Sequence, residues 1–318
     1  MIKIGTCGWS RIYQYAPPSL RKGKSSLQTY AEYFDVVEVN SSFYKHHRKS
    51  TYESWRRSVP PNFEFTVKCH KDVTHRFKLK PVKECMEAFN STLEGTLVCG
   101  AKALLLQTPS SLKPCEETFS TAEEFFRSID TGGIPIAWET RGDEWFKNDN
   151  LKRLKILLEK YDVTHVTDIL KAEPAYVSDL AYFRLHGLPG YNLIYSYSNE
   201  ELKQILIKSE KIEDEVEDVY VFFNNYAMYS DGVRFKRLLK GEELAESPFG
   251  PESLRIALNT FEDWPASKDK LISNCGEWYV WVQPNKRVKL KNILNSFSDR
   301  TYRDIEDLVA EARKLMRD

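Results

Sequence analysis

The chain has 318 residues, 42% of them hydrophobic and 29% charged, room for one large α/β barrel with an accessory segment or for two ordinary domains. No run of about 18 apolar residues is present, which excludes a helical membrane span, and the start MIKIGTCGW lacks the basic-then-apolar pattern of a secretion signal, so a cytoplasmic protein is expected. Its 46 Lys and Arg balance 46 Asp and Glu, but residues 1–83 hold 16 of the bases against 6 acids, an asymmetry that suits a face meeting a polyanion.

Short apolar runs that end abruptly in polar residues recur along the chain. IKIGTC (2–7) comes first, and Ser25 with Gln28 then forms a capping-box pattern before Leu27, Tyr30, Ala31 and Phe34. VVEVN (36–40) is followed by a second box, Ser50 with Glu53, and FEFTVKCH (63–70) by Pro81 at the head of an apolar stripe. ALLLQ (103–107) precedes the box Ser120/Glu123, and IPIAWE (134–139) precedes the stripe Leu151, Leu154, Leu157, Leu158 and Tyr161. THVTD (164–168) and YFRLHG (182–187) are separated by a stretch too short and proline-broken for a full helix. The box Ser198/Glu201 then opens a helix before VYVFFNN (219–225).

Eight buried-type strands alternating with helices predict an α/β fold of the (β/α)8 TIM-barrel type over residues 1–240. Residues 241–318 predict a small α+β extension, with a hairpin in EWYVWVQPNKRVKL and an amphipathic helix over 302–316. An open doubly wound sheet is the weaker alternative, because GTCGWSRIY is not a Gly-rich phosphate loop. The six cysteines form no CxxC pair and read as small buried hydrophobes, with Cys7 set apart at the end of the first strand.

In such a barrel the site lies at the carboxyl ends of the strands. Glu38, Lys68, Glu139 and Arg184 are charges inside four apolar strands, a costly placement unless they are paired or functional. They read either as structural ion pairs or as a site in which Arg184 and Lys68 hold an anion and a glutamate exchanges a proton. His186, two residues after Arg184, is the preferred histidine and His70 the next. A Schiff base on Lys68 is a further option, requiring the lysine to be desolvated away from the acids. No organic cofactor motif, HExxH or compact ligand cluster appears, so no metal ligands are assigned, and a divalent ion at the strand ends stays open.

GTCGW, VEVNSSFY, FTVKCH, LLLQTP, WETR, YFRLHG followed by YSYS, and VYVFFNN occur in an order that resembles the YecE-like family, domain of unknown function seventy-two. The resemblance spans residues 2 to about 240 and implies a TIM-type barrel. It departs at Cys7, where the family usually has Ser, and at Glu139–Thr140–Arg141, where it has Glu-Phe-Arg. The family has no settled activity. Carried over, its motifs place Trp9, Glu38, Asn40, Tyr44, Lys68, Gln107, Glu139, Arg141, Arg184, His186, Tyr197 and Asn224 around a pocket.

The functional expectation is an enzyme or binder acting on an anionic ligand, a phosphorylated small molecule or nucleic acid, at the carboxyl-terminal mouth of the barrel. Glu38, Lys68, Glu139 and His186 are its catalytic candidates. Trp9, Asn40, Tyr44, His70, Gln107, Arg141, Arg184, Tyr197 and Asn224 are its ligand-binding candidates. The alternatives are acid/base chemistry by Glu38 and Glu139 on a neutral sugar-like substrate, and a non-catalytic binding module whose partner surface is the tail.

Overall fold

The structure is a computed structural model that describes residues 1–244 and 246–316. Each apolar run of the sequence is a strand: β1 (Ile2–Thr6), β2 (Val36–Val39), β3 (Glu64–Lys68), β4 (Leu104–Gln107), β5 (Ile136–Glu139), β6 (Val163–Val166), β7 (Leu180–Leu185) and β8 (Asp218–Phe223). β2 to β6 form one parallel sheet in chain order, and β1, β8 and β7 form a second in the order β1-β8-β7. A parallel bridge from Thr167 to Phe183 joins β6 to β7. At the other seam Gly5 of β1 lies against the carbonyl of Val36. The fold is thus an α/β barrel of the (β/α)8 type.

Burial on both faces explains the composition of the strands. β2, β4, β5 and β6 are buried at every position, and Cys7, Val36, Ala103, Leu105, Ala137, Val166, Leu180, Tyr182, Tyr220 and Phe222 form one cluster. The short helix Ser26–Tyr30 lies between β1 and β2, helices Lys49–Arg57, Lys83–Val98, Glu116–Ser128 and Asn148–Tyr161 connect β2 through β6 in turn, and β6 and β7 are joined by a stretch without a helix.

Two of the four expected capping boxes form. Ser25 N donates to Gln28 Oε1 at 2.9 Å and Gln28 N to Ser25 Oγ at 3.2 Å, and Ser198 and Glu201 bond reciprocally at 2.8 and 3.2 Å. The other two do not. The helix of Ser50 starts earlier, behind Arg48, and that of Ser120 starts behind Cys115, so both serines lie inside a helix already begun.

The chain divides into two compact units: residues 1–9, 31–185 and 207–222 form the first, and residues 10–30, 186–206 and 223 onward the second. The tail builds a small α+β element from β9 (Ala266–Ser267), the hairpin β10 (Tyr279–Gln283) and β11 (Lys286–Lys289), and β12 (Thr301–Tyr302), which pairs with β9. The amphipathic helix runs Ile305–Leu315, and a core from Leu254 to Ala312 is contributed by tail residues alone. The pairing of β9 with β12 and the helix Lys268–Cys275 were not evident from the sequence, because two-residue strands carry no periodicity. Among the described residues no helix is long and apolar enough to cross a membrane.

Candidate functional site

Parallel strands put their carboxyl ends on one rim. Glu38, Lys68, Gln107, Glu139 and Arg184 all lie in the last two residues of their strands, so the chain delivers five polar side chains to the same end of the barrel.

The centre of this cluster is Arg184, 1% exposed. Its Nε and Nη2 donate to the two oxygens of Glu38, each at 2.9 Å, and Nη1 donates to Glu139 Oε2. Arg141 Nε donates to the other oxygen of Glu139 at 2.8 Å. Tyr182 OH donates to Glu38 Oε2 at 2.9 Å and shares a 2.8 Å hydrogen bond with Thr66. Arg184 Nη2 also lies 3.6 Å from Cys7 Sγ. Burial, then the Glu38 charge, drives the Cys7 thiol and the Tyr182 phenol well above their usual ranges, so both are neutral. Gln107 is buried and donates from Nε2 to the Thr108 carbonyl at 2.9 Å.

Lys68 is different. It is 6% exposed, and among the described residues no carboxylate lies within ion-pair distance of its ammonium. Its Nζ instead sits 3.9 Å from the ring centroid of Phe43. Burial pulls its pKa from 10.5 down to about 8, with Arg184 pushing the same way and Glu38 and Glu139 opposing. Counting Lys68, Arg141 and Arg184 against Glu38 and Glu139, the cluster carries one uncompensated positive charge.

Around Lys68 lie groups that the sequence reading did not select. Phe43 ends the 3-10 turn Ser41–Phe43 and packs edge-on against His75, at 4.8 Å between centroids. His75, in the π-helical turn Asp72–Arg76, is held neutral with a pKa of about 4 by burial and by the neighbouring Lys68 and Arg141. Tyr44, the aromatic selected from this segment, is 68% exposed. Strand alternation failed there because β2 ends at Val39 and the chain enters a turn of period three. Asn40 starts that turn, and its Oδ1 is buried with no hydrogen-bond partner. Trp9 packs edge-on against Trp55 at 5.3 Å.

A compact ligand set does exist, contrary to the expectation from spacing. His46, His70 and Asp72 bring one potential metal-ligating atom each within 4.8 Å of one another. Spacing could not reveal it, because His46 follows β2 whereas His70 and Asp72 follow β3. The His46 and His70 rings stack at 3.7 Å.

The remaining selected residues belong to the second compact unit. There His186 is buried, with Nε2 2.7 Å from Tyr191 OH. Tyr197 is fully buried, accepts from Gly187 N at 2.7 Å and packs against Phe223. Asn224 is half-buried. The loop carrying Tyr197 is anchored by Asp231, a buried carboxylate that the sequence reading passed over. Ser196, Tyr197 N and Asn225 all donate to it, at 2.8, 3.2 and 2.7 Å.

The profile of the family described as "Protein of unknown function DUF72" matches residues 3–251. The chain belongs to the DUF72 family. This DUF72 protein is 24% identical to YunF of Bacillus subtilis over 286 residues, which is 80% of this chain and all of YunF. It is 28% identical to YecE of Escherichia coli K12 over 116 residues, 36% of this chain and 40% of that one. Among solved structures, a DUF72 protein of Thermotoga maritima superposes with a TM-score of 0.61 at 26% identity, covering 76% of this chain and 99% of that one. One from Enterococcus faecalis gives 0.60 at 21%, covering 76% and 98%. The DUF72 match thus runs past the boundary expected at residue 240 and stops before most of the tail.

Proposed function

We propose that the barrel mouth of this DUF72 protein binds a phosphorylated ligand, with Lys68 as the charged anchor. The observation that carries this reading is a buried ammonium without a carboxylate partner, in a cluster one positive charge in excess. A desolvated cation in that position gains from an anionic guest what it lacks from the protein. Arg141, half-buried beside Glu139, supplies a second cation at the rim. Exposed Lys45, Arg48, Lys49, Lys71, Lys78 and Lys80 follow β2 and β3, and they extend the reading to a nucleic-acid backbone as the source of the phosphate.

Arg184 was expected to grip the anion. It is committed to Glu38 and Glu139 instead, which makes it the brace of the site. The same commitment weighs against acid/base chemistry on a neutral sugar, which needs a carboxylate free to exchange a proton.

The test titrates purified protein with phosphorylated small molecules and with single- and double-stranded oligonucleotides at low and high salt. Affinity falling with salt, and lost in Lys68→Met, supports the reading. Absence of binding to every one of these probes at low salt rejects it.

A second reading has its own observation, the Lys68 pKa of about 8, which leaves part of the amine neutral near physiological pH. Its nitrogen could then add to an aldehyde or ketone and expel water to give an imine. Borohydride trapping of a carbonyl compound on the peptide containing Lys68, absent from Lys68→Arg, tests it.

A further inference from the structure

A different set of groups gathers in the second compact unit, around a cavity of about 970 Å3. Its walls come from residues 11–21, 225–230 and 256–287. The last of these stretches lies wholly beyond the DUF72 match. None of the residues placed at the barrel mouth lines it.

Three guanidiniums do: Arg11, Arg21 and Arg287. Among the described residues none has a carboxylate within ion-pair distance. They meet aromatic rings instead. The Arg287 guanidinium lies 4.3 Å from the Tyr226 centroid and 4.1 Å from that of Tyr279, with Trp281 at 6.0 Å. Arg11 lies 5.9 Å from Tyr226, and Arg21 lies 5.7 Å from Tyr13. Arg21 Nη1 also donates to the Tyr13 carbonyl at 3.1 Å, whereas the rings beside Arg11 and Arg287 leave their in-plane N–H donors available for a phosphate.

The acids of the cavity are engaged elsewhere. Glu262 accepts from Ser19 Oγ at 2.7 Å, and Asp263 lies 3.8 Å from Lys270. Glu277 is held by both Lys289 and Lys291. Counting the pairing lysines Lys270, Lys289 and Lys291 with the three arginines, six cations stand against these three carboxylates. One further feature points to what accompanies the anion. Tyr226 and Tyr279 remain 45% and 46% exposed, large rings with surface left to stack on.

We propose that this cavity is a nucleotide-binding site. Arg11 and Arg287 take the phosphate, and Tyr226 and Tyr279 stack on the base.

The experiment uses the full-length protein and follows tryptophan fluorescence and heat of binding with AMP, CMP, GMP and UMP, and with ribose 5-phosphate and adenosine as partial ligands. At least one nucleotide binds with a Kd below about 1 mM, and at least about tenfold more tightly than ribose 5-phosphate. Arg287→Met and Arg11→Met each weaken it by about tenfold or more, and Tyr279→Ala weakens the nucleotide but not ribose 5-phosphate. Arg11 and Tyr279 are exposed, so their variants keep the fold, as circular dichroism verifies. Lys68→Met leaves the component of this binding that Arg287→Met weakens, which separates the cavity from the barrel mouth. The proposal is overturned if no nucleotide binds, if the arginine variants bind as well as the parent, if ribose 5-phosphate binds equally, or if Lys68→Met abolishes the signal.

Discussion

Arg184 and Glu38 form a two-point ion pair inside the barrel, with both N–H···O distances at 2.9 Å and neither residue more than 1% exposed. Removing one partner strands the other charge without water, a loss of about 3–5 kcal/mol. Arg184→Met is therefore expected to lower the urea unfolding free energy by that amount, with Glu38→Gln close behind. If Arg184 were mainly a ligand group, its removal would leave stability intact and weaken binding alone. Equilibrium unfolding with and without saturating ligand separates the two.

Lys68 is expected to behave in the opposite way. Its folded pKa of about 8 lies below the ordinary 10.5, so between these values the unfolded chain binds the extra proton and stability rises with pH. Below pH 8 the folded state carries the full penalty of a buried ammonium, about 3 kcal/mol at most. Lys68→Met should then stabilise the protein at pH 7 while abolishing anion binding at the barrel mouth, and the gain should vanish as pH climbs from 8 to 10.5. Binding by the parent protein should weaken through the same window, because only the ammonium attracts the anion. Unfolding curves at pH 7 and 10.5 check the first claim. A variant less stable than its parent at pH 7 would show that Lys68 is paired after all.

The helix starts give a control drawn from the sequence itself. Ser25→Ala and Ser198→Ala should each destabilise by about 0.5–2 kcal/mol, since both caps form. Ser50→Ala and Ser120→Ala should stay within about 0.5 kcal/mol, since both side chains are exposed inside running helices. Thermal unfolding of the four variants distinguishes the pairs.

These caps also mark where local pattern stops being informative. Every barrel strand was legible, because burial on both faces leaves an unbroken apolar run that few other structures produce. The charged residues were legible for the same reason: Glu38 and Arg184 are conspicuous among Val and Phe. Their partners were not. Nothing in the chain says that Arg184 satisfies two glutamates while Lys68 satisfies none, because that depends on side-chain reach across the barrel. Phe43 was missed in favour of Tyr44 by one residue, at the point where strand period gives way to a turn. Residues 11–21 and 225–230 meet the tail in one cavity for reasons of tertiary packing alone.

Gly5, in the GTCGW segment, offers a last and sharp test of the barrel seam. A β-carbon there would collide with the backbone oxygen of Val36 and come within 2.9 Å of the Phe222 ring. A carbonyl in a paired strand cannot swing aside as a side chain could, so Gly5→Ala should destabilise by about 3 kcal/mol. Gly8, three residues on, has a positive φ of 105° but nothing within 4 Å of the added carbon. Gly8→Ala meets only backbone strain, about 1–2 kcal/mol. Urea unfolding should therefore rank Gly5→Ala as the more damaging change. If the two variants proved equally stable, β1 and β2 would not approach as closely as a closed barrel demands.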